Sequence, residues 1–234
     1  MIPLRDTREI KIFPIATIVI ILLNVIIFVS VYFSALVTKN PSLKLATFFQ
    51  HYGLVPYEIT TGKAIYPSIK PAWLTFISSI FLHGGWMHLI GNMLFFWIFG
   101  NNIEDYTGSI GFIFFYIIGG IVASFTQILT DPLSKVPVIG ASGAIAAVMG
   151  AYFYLFPTAR IKSLVFLFYF FTFVEVPAFI FLLLWFIMQL FSGFASFGSA
   201  ISVAVWAHIG GFIFGFLTAV ILKASRRGKE RYPS

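Results

Sequence analysis

Four residues, Ser142, His208, His88 and Asn92, carry the groups through which this chain could do covalent chemistry. Each lies inside or at the end of an apolar run, where a polar side chain is costly and marks a candidate functional position. A serine hydroxyl is a weak nucleophile until a base takes its proton. His208 is the candidate base, its neutral imidazole accepting from Ser142. No Asp or Glu lies in an apolar segment near His208, so the expected arrangement is a dyad and not a triad. Attack on a carbonyl creates an oxyanion that needs donors. The Ser142 N–H is free if Ser142 opens a helix. Asn92 and His88 are four apart, on one helix face, and can add side-chain donors. Each residue also has a plainer reading. A Ser at a helix start is commonly an N-cap, and His88, Asn92 and His208 could simply tie helices together. Gln127 and Gln189 also lie in or near apolar segments and read as helix–helix hydrogen-bonding groups.

The elements that must position these residues are membrane spans. Of the 234 residues 59% are hydrophobic and 10% charged, with mean hydropathy +0.97. A soluble domain carries far more charge. A helical span takes roughly 20 apolar residues, and six segments qualify or nearly qualify, at 14–37, 86–103, 110–130, 142–157, 176–192 and 204–223. No period-2 alternation recurs, which argues against a β-barrel. The expected fold is therefore an all-α membrane protein, a single domain over 1–234 with short tails at 1–13 and 224–234. The apolar run 14–37 is too long for a signal-peptide core and reads as the first span. The run 164–191 contains Glu175 and Pro177. It divides into an interfacial segment at 164–174 and a fifth span starting near Val176, with Pro177 in its first turn and Glu175 at the cytoplasmic boundary.

Small residues let helices approach closely in lipid. Gly143, Ala147 and Ala151 recur every four residues on the fourth span, and Gly211 and Gly215 form GxxxG on the sixth. Facing helices of this kind can bring Ser142 and His208 within hydrogen-bonding distance. Depth points the same way: Ser142 and His208 each lie 18 residues before a basic residue, Arg160 and Arg226, and His88 lies 16 before Glu104. At ~1.5 Å per residue this places all of them ~24–27 Å from a cytoplasmic marker, in one layer. The fourth span is short and is expected to start inside the membrane, facing a water-accessible cavity.

Basic residues orient the chain. Arg5, Arg8, Lys11, Arg160, Lys162, Lys223, Arg226, Arg227, Lys229 and Arg231 fall on one side and Lys39, Lys44, Lys63, Lys70 and Lys135 on the other. The positive-inside tendency puts both termini in the cytoplasm. The net charge of +7 sits beside apolar segments, which favours a lipid surface over nucleic acid. The N-terminus shows no Arg/Ser-rich transit segment, so a prokaryotic plasma membrane is expected. Two loops stand out: 38–86, long and rich in Pro, Tyr and Lys, expected outside and partly embedded, and Ser192–Ser202, mostly small residues and Phe, which reads equally as a mobile cap over the site, with the Phe-rich fifth span as a lateral gate, or as a passive connector.

Three separated blocks, FLHGGWMHLIGNMLFFWIFGNNIED at 81–105, GASGAIAAVMGAY at 140–152 and AHIGGFIFG at 207–215, give the chain a specific resemblance to the rhomboid family of intramembrane serine proteases over about 76–215. The resemblance implies a six-transmembrane-helix rhomboid-like bundle with a partly embedded first loop. It implies Ser142 as nucleophile, His208 as general base, His88, Asn92 and Ser142 as the oxyanion hole, and Glu104 as a structural residue at the cytoplasmic end. The implied substrates are transmembrane proteins, cut near the outer ends of their helices at small residues and entering near span 5. No cofactor and no metal are implied. Two positions depart from the family pattern. A frequent Trp-Arg pair in the first loop is replaced by Leu74-Thr75, one residue after Trp73. A Tyr that some members place four residues after the nucleophile is Ala146 here, leaving Phe212 or Phe153 as candidate supports for the His208 ring.

The competing classes are weaker. A rhomboid-like binding protein without activity usually lacks the Ser or the His, and both are present. A transporter would need ionisable residues or broken helices along a path. A metalloprotease would need HExxH, which is absent. An aspartyl intramembrane protease would need paired Asp in spans, whereas Asp6, Asp105 and Asp131 lie in loops or at ends. With no Cys, thiol catalysis is excluded. Oligomeric state and the natural substrate are not readable from the sequence.

Overall fold

The structure, a computed structural model, describes residues 1–66, 71–167, 170–196 and 204–231. It begins with a strand, β1 (Ile2–Asp6), and a long apolar helix, α1 (Ile15–Leu36). The first loop folds into α2 (Pro41–Tyr52), α3 (Pro56–Thr61) and a short helical run, Ala72–Phe81, that includes α4 (Thr75–Ser78). Then come α5 (Trp86–Thr107), α6 (Ser109–Thr130) and α7 (Ser142–Leu155), a hairpin of β2 (Arg160–Leu167) and β3 (Phe170–Pro177), and finally α8 (Ala178–Ser196) and α9 (Val205–Arg231). Among the described residues four helices, α1, α6, α8 and α9, are long and apolar enough to cross a membrane, and Ala72–Phe81 with α5 forms a further candidate bent by 82°. Each of the six apolar segments coincides with a helix.

At the centre stands α7. It is apolar around its whole circumference and almost every residue on it is buried, as expected for a helix enclosed by others. Its neighbours are α5, α6, α8 and α9. The α7–α9 contact is backbone on backbone. A methyl group on Gly215 would overlap the Ala147 carbonyl, one on Gly211 the Gly143 carbonyl, and one on Gly150 the Phe212 carbonyl. The outer helices present most of their residues outward: 28% of the α1 span and 22% of the α8 span are buried, against 50% in α6 and 44% in α9.

Glu104 ties the near ends of three helices together. Its fully buried carboxylate accepts from the Ala16 and Thr17 N–H groups at 2.8 Å each, from Thr17 Oγ1 at 2.7 Å and from Ser109 Oγ at 2.6 Å. Two of these donors are orphan amides in the first turn of α1, where a negative charge also interacts favourably with the positive end of the helix dipole. Gly108, at φ 76°, makes the one-residue joint that turns α5 into α6.

The region 160–177 differs from expectation. Residues 164–167 and 170–174 belong to the two antiparallel strands β2 and β3, and β1 pairs with β2 to give a three-stranded sheet in the order β1-β2-β3. The strand sequences are rich in Phe and Val, which suit a strand, and apolar residues fall on both faces, so no alternation marks them. Glu175 lies in β3 opposite Lys162. The fifth long helix starts at Ala178, one residue after Pro177. Because α7 ends at Leu155, the stretch to Arg160 is not helical, and the 18-residue spacing overstates the helical rise there. Residues 192–196 of the small-residue segment continue α8 as helix, and 197–203 lie outside the described residues.

The N-terminal segment is pinned beneath this frame. Tyr152 OH donates to Asp6 Oδ2 at 2.6 Å, Arg8 Nε donates to Asn102 Oδ1 at 3.1 Å, and the Arg8 guanidinium lies 3.7 Å from the Phe156 ring centroid.

Two outcomes are expected. Gly215→Val should separate α7 from α9 and cost about 3 kcal/mol or more, read as loss of a cooperative melt in detergent. Burial raises the Asp6 carboxyl above its usual range, against the lowering effect of the Tyr152 and Arg8 contacts. The folded state then holds the proton more tightly than the unfolded state, so this stabilisation is present in acid and lost as pH rises above the unfolded value. Asp6→Asn should therefore gain on wild type between pH 3.5 and pH 7, measured as the difference in melting temperature.

Candidate active site

The first turn of α7 sets the site. Its first intrahelical bond runs from Ile145 N–H to Ala141 C=O at 2.9 Å, so the amides of Ser142 and Gly143 precede it and have no intrahelical acceptor. The N-cap residue, Ala141, has no side chain able to cap the helix, and Ser142 is its first residue. The Ser142 side chain points at α9, where Ser142 Oγ lies 2.7 Å from His208 Nε2. The close α7–α9 packing described above makes this distance possible. Gln127 on α6 reinforces the arrangement, its Oε1 accepting from Ala207 N–H at 3.3 Å, one residue before His208.

Gly140 precedes the helix at φ 127°, with its N–H bonded to Ser79 C=O at 2.9 Å. A Cβ at this position would meet the His88 ring at Nε2 and Cε1. Gly140 therefore serves both a left-handed backbone and a close approach. His88 Nδ1 accepts from Gly84 N–H at 3.3 Å. A neutral ring bonded this way carries its proton on Nε2, the nitrogen beside Gly140. Asn92, one turn further along α5, is buried, and its Nδ2 has no partner among the described residues.

These groups line one cavity of about 570 Å³. Its walls include His88, Asn92, Ser142 and His208, together with Phe95 of α5 and Trp185 of α8. All four residues singled out in the sequence therefore share a single space. It is mostly apolar with a few convergent polar groups, the usual character of a ligand site. Among the described residues there is no cluster of three or more His, Cys, Asp or Glu suited to a metal ion.

Two neighbours of His208 were not anticipated. Its Nδ1 lies 2.7 Å from Gln189 Oε1, on α8. Its ring neighbour is Trp185, at 6.0 Å between centroids, while Phe212 packs against Trp185 and Phe186 and Phe153 packs against Phe212. The position of Ala146 is fully buried, so the ring is flanked from α8 and not from α7. Gln189 was visible in the sequence as a lone amide in an apolar run. Its partner was not, because the packing of α8 on α9 is not encoded in any local spacing.

A bundle of apolar helices around a buried, glycine-packed central helix, with a Ser–His pair on its cavity wall, defines a multi-pass membrane protein. The family model for the Rhomboid domain matches residues 70–225. The chain belongs to the rhomboid family. It is 32% identical over 123 residues to Rhomboid protein 1, mitochondrial, of Saccharomyces cerevisiae, covering 51% of this chain and 33% of that protein. Rhomboid protease GlpG of Salmonella paratyphi A is 29% identical over 163 residues, 69% of this chain and 53% of GlpG. Rhomboid-like protein 11, chloroplastic, of Arabidopsis thaliana is 39% identical over 75 residues, 32% of this chain and 26% of that protein. The chain thus spans between about a quarter and about half of the length of these relatives.

Proposed function

We propose that the chain is an intramembrane serine endopeptidase that cuts transmembrane segments of membrane proteins, with Ser142 as nucleophile and His208 as general base. The observation that carries this reading is the 2.7 Å approach of Ser142 Oγ to His208 Nε2 at the wall of the cavity. His208 Nε2 takes the hydroxyl proton as Oγ attacks the scissile carbonyl, and the same nitrogen then protonates the leaving amine. Water enters and hydrolyses the acyl-enzyme by the same route. The oxyanion is received by the Ser142 N–H, the Asn92 Nδ2 and the His88 Nε2–H. The unpartnered Asn92 amide and the His88 tautomer set by Gly84 both favour donation. No cofactor takes part.

In this reading residues 1–234 form one membrane domain of six passes, with α7 as the short fourth, the first loop partly embedded and both termini cytoplasmic. The basic residues near the termini and at 160–162 support that orientation. The membrane is read as a plasma membrane, although relatives are named for mitochondria and chloroplasts. Likeness to a protein named as a rhomboid protease supports the activity.

The test is cleavage of a reporter transmembrane substrate, with small residues at the cut, by purified protein in liposomes. Wild type should cut, and Ser142→Ala and His208→Ala, with unchanged melting, should each lose at least about 10⁴-fold. Cutting that survives Ser142→Ala removes the nucleophile assignment. A folded wild type that cuts none of several substrates would instead favour a protein that binds membrane segments without cleaving them. Asn92→Ala should lower kcat by about 10²–10³-fold, with little change in KM. A wild-type rate in that variant would remove Asn92 from the oxyanion site.

A further inference from the structure

His208 is held from both sides. Ser142 Oγ on α7 meets its Nε2 at 2.7 Å, and Gln189 Oε1 on α8 meets its Nδ1 at 2.7 Å. A neutral imidazole has one proton to share between two nitrogens. An amide oxygen can only accept, so this contact places the proton on Nδ1 and leaves the Nε2 lone pair facing Ser142. The opposite tautomer would put a proton where the lone pair is needed, and the ring could no longer take the serine proton. Turning the Gln189 amide over would favour that unproductive form, so the oxygen's orientation matters as much as its distance.

Gln189 does not act alone on its helix. Trp185 lies four residues earlier, on the same face of α8, and its ring flanks the His208 imidazole. Both contacts to the ring therefore come from one element. That element is the least enclosed of the four long apolar helices, with 22% of its span buried. It also lines the cavity together with His88 and Asn92 of α5. A displacement of α8 wide enough to admit a substrate helix between α5 and α8 would break the Gln189 bond and remove Trp185 from the ring.

We infer that Gln189 is a positioning residue for His208, which selects the productive tautomer of the base only while α8 is seated against α9. This rests on the Ser142–His208 reading above. It makes the base a three-residue relay, Gln189–His208–Ser142, without a carboxylate. Because an amide carries no charge, it orients the ring and fixes its tautomer without drawing a positive charge onto it.

The experiment compares Gln189→Met, which keeps length and removes the acceptor, with Gln189→Glu, which keeps the acceptor and adds charge. Both are assayed with the liposome substrate over a range of pH. The full-length protein with ¹⁵N-labelled His is examined in parallel by NMR, with the His208 signals assigned by their loss in His208→Ala. Gln189→Met should lower kcat about 10–100-fold, the usual effect of removing a partner that orients a His, with KM within about twofold. Gln189→Glu should restore activity and move the acid limb of the kcat/KM profile to higher pH, because a carboxylate beside Nδ1 favours the charged ring. His88, facing His208 across the cavity, is unchanged in the series. Wild type should show His208 protonated at Nδ1, and Gln189→Met a mixture of tautomers. A Gln189→Met enzyme with wild-type kcat, pH profile and ring signals overturns the inference, as does wild-type His208 protonated at Nε2. If Gln189→Met melts early, the Gln189→Glu profile and the wild-type spectrum decide alone. If wild type cuts nothing, the protease reading fails, and the ring signals still decide whether Gln189 sets the tautomer.

Discussion

Everything in this molecule depends on two backbones touching. Without side chains at Gly211 and Gly215, α9 lies directly on the carbonyls of Gly143 and Ala147. In lipid no hydrophobic force drives helices together, so van der Waals contact of this kind does most of the holding. The same contact fixes the separation of the two helices near Ser142 and His208. Stability and site geometry are therefore one quantity here. A side chain added at the seam would loosen the bundle and part the two residues in the same motion.

A second constraint works at the opposite end. Helix termini leave unsatisfied amides, and in a low-dielectric setting these need a partner. Glu104 supplies one carboxylate to the start of α1 and to Ser109 at the start of α6. Each hydrogen bond to a charged group contributes about 1.5–3 kcal/mol. The charge is tolerated because it is fully engaged. It is the best candidate in the chain for the residue that sets how α1, α5 and α6 meet.

Much of this was legible in the sequence, for physical reasons that also mark the limits. Long apolar runs can only be helices in a membrane, so 14–37 and 110–130 agree with α1 and α6 to within a residue or so. Ser142, His88, Asn92 and His208 stood out because polar groups are rare in such runs, and they do line one cavity. The sheet did not stand out. Phe171 and Phe173 fall on one side of the sheet and Phe170, Val174 and Val176 on the other, which erases the alternation that identifies a strand. The strand β1 is five residues long and its partner lies more than 150 residues away. Trp185 and Gln189 were missed as a pair for a different cause. Their importance comes from α8 lying against His208, and no local pattern encodes which helix packs beside which.

The sheet has a consequence in time. Ile2 pairs with Leu164 and Asp6 with Ile161, so β1 leaves the ribosome long before the strand it pairs with. At ~5–20 residues per second, roughly 8–30 s of synthesis separates β1 from β2. During that interval four apolar helices, α1, α5, α6 and α7, are made. The N-terminus must wait, unpaired, until α7 is complete, and its docking onto β2 closes the chain over α5. β1 is thus a latch that can close over α5 while α8 and α9 are still to come.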